Sequence, residues 1–140
     1  LNTITLEPGK AFHSHRGVLE HERLIGLPDG SVIENSQGVA YLALRPLLTD
    51  FVMSMPRGAA IIYPKDAAQI LAQADIFPGA RVIEAGVGSG ALSMWLLRAI
   101  GETGHLFSFE RREEFAQIAE GNVTAYVGSR PENWTITLGD

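Results

Sequence analysis

Cysteine is absent from the 140-residue sequence, which removes any disulfide framework, thiolate metal site or thiol nucleophile. No apolar run approaches the roughly 18 residues that a membrane span requires. The opening LNTITLEPGK also lacks the basic start and apolar core of a secretory signal, so a cytoplasmic protein without a membrane partner is expected. Runs of positive charge are missing too. Eleven Lys and Arg are scattered against sixteen Asp and Glu, for a formal net charge of −5. A polyanion would repel such a chain as a whole, so a nucleic-acid surface has to be made by folding or assembly. Arg111 and Arg112 are adjacent, but Glu110, Glu113 and Glu114 flank them, the pattern of a solvated helix face. His13 and His15 stand at alternate positions without a third ligand, and Glu20 and His21 fit no metal-ligand spacing, so a surface loop and no metal site are expected. No Ser-His-Asp constellation can be placed.

What is present changes character along the chain. Turn signals recur early, at LPDGS (27–31), NSQG (35–38) and Pro46, and separate short apolar or β-branched runs at Val18–Leu19, Leu24–Ile25, Val32–Ile33 and Val39–Leu44. This predicts a small antiparallel β module over residues 1–60. From Pro64 the apolar residues Ala67, Ala68, Ile70, Leu71 and Ala74 recur at helical spacing until FPG at 77–79. A strand at about 80–85, a glycine loop, a helix from about Gly90 to Ile100, the strand HLFSFE, a helix from about Arg112 to Val123 and the strand NWTITLGD follow. The alternation is α/β, with parallel strands laid side by side in order by right-handed crossovers. Residues 61–140 are therefore read as the first half of a Rossmann-like doubly wound sheet, truncated at its C-terminus.

The loop in RVIEAGVGSGALSMWLL, residues 81–97, carries the chemistry. Glycines after a strand permit a tight turn and close ligand approach, and the following helix presents free N–H groups. Gly86, Gly88 and Ala91 satisfy the dinucleotide pattern G-x-G-x-x-A, although a tight structural turn would look the same. Glu84 weighs against a dinucleotide, since an acid two residues before the loop opposes a pyrophosphate yet suits a cofactor with ammonium and sulfonium cations. That chemistry is S-adenosylmethionine. A P-loop is excluded because no Gly-Lys-Ser/Thr follows the glycines. Glu110, ending the second strand of the series, is placed to accept ribose hydroxyls, and Asp140, ending the third, could accept from an adenine amino group. Asp66 is expected to cap or begin its helix, beside Lys65. Met94, Trp95 and Leu97 are expected to face the core, and Trp134 to be a strand residue.

HRGVLEHERLIGLPDGSVI (15–33) and IIYPKDAAQIL (61–71), ahead of VIEAGVGSGALS, make the chain resemble the tRNA (adenine-N1)-methyltransferases that modify adenine 58, of the actinobacterial or archaeal single-gene type. The resemblance covers about residues 10–140. It implies that Ser89, Gly90, Ala91 and Leu92 line the methionine end of S-adenosylmethionine, with Gly86 and Gly88 shaping the turn. It further implies that Glu110 binds the ribose, that Phe115 packs on the adenine, that Asp140 contacts the same base and that Tyr63 stands near the target-base pocket. The family's aspartate at the target adenine would lie beyond the chain's end, and the family implies a homotetramer gripping its tRNA substrate. Two other readings stay open: a cofactor-binding fragment without activity, and a methyltransferase of another substrate class such as protein carboxyl.

Overall fold

The computed structural model describes residues 2–139, which divide into two compact units between Pro46 and Leu47. The first unit holds two antiparallel hairpins. Strands β1 (Ala11–Ser14) and β2 (Gly17–Glu20) pair with Ser14 opposite Gly17, and β3 (Ser31–Glu34) and β4 (Ala40–Ala43) pair with Val32 opposite Leu42. Asn35 ties them together. Its Nδ2 donates to the Arg16 carbonyl at 2.5 Å, while its Oδ1 accepts from the Gln37 and Val39 N–H groups. Gly17, at φ 118°, leaves room for that amide, since a Cβ there would stand 2.7 Å from Asn35 Nδ2.

Two expectations change in this unit. Leu24–Ile25 is not a strand: it follows the single 3₁₀ turn His21–Arg23, and both N–H groups return to the His21 carbonyl, so they are unavailable to a ladder. His13 lies within β1 rather than in a loop, with exposed His15 in the hairpin turn. Among the described residues no cluster of His, Asp or Glu has metal-site geometry.

The second unit begins earlier than the expected residue 61. Helix α1 (Leu48–Ser54), which the sequence reading did not anticipate, buries Leu48 and Val52, one turn apart, in the same core as Ile61, Val87, Met94 and Ile100. Apolar periodicity is faint over so short a helix, which lies between Pro46 and Pro56. Helix α2 (Pro64–Gln73) starts with proline at its first position, where a missing N–H costs nothing. Asp66 sits in that first turn, exposed and 3.5 Å from Lys65, without making a side-chain cap.

Strands β5 (Arg81–Ala85), β6 (His105–Glu110) and β7 (Trp134–Leu138) form a parallel sheet in the order β5-β6-β7, as right-handed crossovers require. Between them run α3 (Ala91–Ile100) and α4 (Glu113–Val127). The latter extends past the expected Val123 to Gly128, whose φ of 96° ends the helix as its N–H returns to Thr124. Both helices pack on the sheet face carrying Leu106 and Trp134, each of which contributes about 2–3 kcal/mol by burial. Trp95 is half-buried beside the buried Met94 and Leu97. Ile83, on the opposite face, stays 74% exposed, so one face of this half-sheet is covered and the other is bare. No helix among the described residues is long and apolar enough to cross a membrane.

Candidate functional site

The loop between β5 and α3 turns through three glycines with positive φ: Gly86 at 84°, Gly88 at 58° and Gly90 at 81°. They serve different needs. A Cβ on Gly86 would meet nothing within 4 Å, which leaves the loop surface open to close approach, whereas one on Gly90 would stand 3.2 Å from the Ala119 backbone. Gly90 therefore sets how tightly α3 packs on α4. Ala91 and Leu92 open α3, the first buried and the second half-buried.

Glu110, the last residue of β6, reaches across to this loop. Its Oε2 accepts the Gly88 N–H at 3.0 Å, and its Oε1 accepts the N–H groups of Arg111 and Arg112 at 2.9 and 3.1 Å. Burial alone would raise its pKa. The N–H donors of Gly88, Arg112 and Arg111, with the charge of Arg112, more than reverse this and hold the carboxyl below its ordinary range. A fixed carboxylate against the loop, with one of its roughly four acceptor sites still free on Oε2, is suited to a sugar hydroxyl.

Glu84 meets donors of another kind. Its carboxyl is turned under the loop onto the helix-covered face, where Oε2 accepts hydroxyls from Ser93 and Ser108, and among the described residues Oε1 is buried with no partner. Desolvation raises its pKa, partly offset by the two hydroxyls and reinforced by the charge of Glu110.

Ser89 lines the same end of the loop and ties it to the segment ahead of α2. Its hydroxyl lies 3.2 and 3.4 Å from the N–H groups of Gly58 and Ala59, for which it is the acceptor, and its carbonyl accepts Asn122 Nδ2 at 2.9 Å. The other Asn122 donor goes to the Pro56 carbonyl, also at 2.9 Å. The segment from Pro56 to Ala59 is thereby strapped to the loop. Phe115 packs beneath the strap, where its ring stands about 3.0 Å from where a Gly58 Cβ would be, and the Arg112 guanidinium lies 4.6 Å from the ring centroid. The ring thus has the strap at its edge and a guanidinium over one face. Tyr63 ends the segment just ahead of α2 with its side chain 46% exposed. Asp140 lies outside the described residues.

A cavity of about 390 Å³ runs from the loop along β5, lined by Glu84, Gly86, Gly88, Ser89, Ala91 and Leu92 at one end and by Ile70 and Ala74 of α2 at the other. Neither Glu110 nor Tyr63 lines it. Its course follows the β5 edge that no described strand pairs. Ser93, Ser108 and Asn122 were missed by sequence reasoning. The available signal was a lone hydroxyl in each of two apolar runs, ALSMWLL and HLFSFE.

Residues 39–138 match the family model for the GCD14 subunit of a tRNA methyltransferase complex, and residues 1–33 match a TrmI-like N-terminal model. The chain belongs to this tRNA methyltransferase family. The tRNA (adenine(58)-N(1))-methyltransferase TrmI of Thermus thermophilus is 41% identical over 118 residues, covering 84% of this chain and 46% of that protein. Among solved structures, an S-adenosylmethionine-dependent O-methyltransferase of Thermotoga maritima superposes with a TM-score of 0.86 at 39% identity, over 98% of this chain and 51% of the other. The tRNA adenine-58 methyltransferase TrmI of Aquifex aeolicus gives 0.78 at 30% identity, over 98% and 52%. The chain spans about half the length of the curated relatives it matches.

Proposed function

We propose that the protein is the cofactor-binding part of an S-adenosylmethionine-dependent enzyme that methylates N1 of adenine 58 in tRNA. The observation that carries this reading is the Glu110 clasp, a carboxylate held by the Gly88 N–H against a glycine loop whose surface is open at Gly86. The family membership and the names of the relatives support the substrate. When bound, the cofactor supplies an electrophilic methyl group on its sulfonium.

The residues divide the binding. Glu110 accepts the ribose hydroxyls, and the backbone from Gly86 to Leu92 bounds the methionine end. Ser89 and Asn122 hold the strap that leads to Tyr63, which stands toward the target base. The protein's contribution is orientation and a fixed electrostatic environment. The target adenine has to leave its stacked position to be reached, and flipping into a pocket is the expected device. An acidic chain meets a polyanion through local basic surfaces made on assembly, in keeping with a cytoplasmic homotetramer.

The test has two arms. Calorimetric titration of this chain with S-adenosylmethionine should show binding that Glu110→Ala weakens by at least about tenfold, the worth of one charged hydrogen bond. The full-length protein should methylate a tRNA transcript bearing adenine 58 and spare one with guanine there. Equal labelling of both transcripts would overturn the substrate assignment.

A further inference from the structure

Beneath the glycine loop, side chains from four elements form one buried hydrogen-bonded chain. The Trp134 indole N–H on β7 donates to Ser108 Oγ on β6 at 2.9 Å, and Ser108 donates to Glu84 Oε2 on β5 at 2.8 Å. Ser93 on α3 donates to the same oxygen at 2.7 Å. Ser93, Ser108, Trp134 and Glu84 are all buried. The direction of the chain is fixed from one end: an indole N–H can only donate, so Ser108 accepts from Trp134 and directs its own proton to Glu84. Both hydroxyls converge on Oε2, and among the described residues Oε1 is left buried without a partner.

Among the described residues, what surrounds this carboxyl is uncharged or of its own sign. The charged group that acts on it is Glu110 at the end of β6, which is repulsive. The cations of the flanking elements, Arg81 on β5, Arg98 on α3 and Lys65 on α2, are exposed, as are Asp66 on α2 and Glu113 and Glu114 on α4. A carboxyl so desolvated favours its neutral form, and a nearby cation reverses that preference.

We infer that Glu84 links proton release to occupancy of the glycine loop: its carboxyl holds a proton in the ligand-free protein and yields it to solvent when a cationic ligand binds above it. The inference rests on the reading of the loop as an S-adenosylmethionine site. In the step, the Glu84 O–H bond breaks, the electron pair stays on the carboxylate and the proton passes to the buffer. Ser93 and Ser108 are positioning residues that hold Oε2 and so stabilise the ionised form, and Trp134 orients Ser108.

The test couples two measurements. Calorimetric titration of the chain with S-adenosylmethionine, just above the ordinary carboxylate range and in buffers of different ionisation heat, should show net proton release that Glu84→Gln loses while still binding. Equal proton release by the two proteins would overturn the inference. Independently of any ligand, a Trp95→Phe protein leaves Trp134 as the sole indole. Its emission should follow a titration lying above the ordinary carboxylate range, moved further upward by Ser93→Ala. A transition at the ordinary range, or none, overturns the inference even if Glu84→Gln fails to fold. Absence of any binding by the wild-type chain would sink the cofactor reading and with it the link to occupancy, while the emission titration would still report whether Glu84 holds a proton.

Discussion

The ends of β5 and β6 carry the same residue type in neighbouring parallel strands, yet the two carboxyls are opposites. Glu110 is gripped by backbone N–H groups from the glycine loop and from the start of α4, and it stays ionised below the usual range. Glu84 meets side-chain hydroxyls under the loop, keeps one oxygen unpartnered and is pushed toward its neutral form. The difference lies in position along the ladder. Glu84 pairs opposite Ser108 within the sheet, whereas Glu110 stands beyond the last pair of β5 and β6, Ala85 and Phe109, and can turn to the loop. A carboxylate acquires its character from the donors its position makes available, more than from burial alone.

The largest effect should come from substituting glutamine at Glu110, set against the same change at Glu84. Glu110→Gln replaces an acceptor oxygen with a donor facing backbone N–H groups and removes the charge they stabilise, which should cost about 3 kcal/mol in urea unfolding at neutral pH. Glu84→Gln should cost little or add stability there, because it fixes in place the uncharged form that the desolvated site favours. Equal losses would erase the contrast. The strap tests whether the loop depends on Glu110 alone. Asn122→Ala orphans the buried carbonyl of Ser89 and frees that of Pro56, and should cost about 2 kcal/mol, with amide exchange hastened at Gly58 and Ala59.

The same contrast predicts opposite pH dependences. Glu84 has a native pKa above its unfolded value, so its contribution to stability is full below the unfolded pKa and is lost as pH rises through the native one. Glu110 has a native pKa below its unfolded value, so its contribution is present above the unfolded pKa and is lost as pH falls through the native one. Unfolding free energies measured over roughly pH 3 to 8 should therefore flatten on the alkaline side in Glu84→Gln and on the acid side in Glu110→Gln. A profile that Glu84→Gln leaves unchanged would contradict the assignment. The smallest effect belongs to Ser93→Ala, about 1 kcal/mol, growing toward the pH at which Glu84 ionises; a pH-independent loss would mean that Ser93 merely fills space.

Legibility followed the range of the interactions. The order β5-α3-β6-α4-β7 could be read because each element carries its own periodicity and the crossover rule supplies the handedness. The glycines could be read because positive φ is a local demand, and Glu110 because it stands at a strand end. Helix α1 escaped because its two buried residues, Leu48 and Val52, gain meaning only against Ile61 and Met94, far along the chain. Ser89 lines the cavity and also bonds the backbone at Gly58 and Ala59, a contact across about thirty residues that no spacing announces.

The sequence by itself determined the parallel half-sheet, the turn at Gly86–Gly90 and the presence of two acids beside it, since periodicity, glycine conformation and residue charge are properties of short segments. Only the tertiary structure decided that one acid faces the loop as a fixed carboxylate and the other lies beneath it among Ser93, Ser108 and Trp134. Protonation depends on donors and solvent within a few ångströms, and folding draws those donors from elements that are distant in sequence.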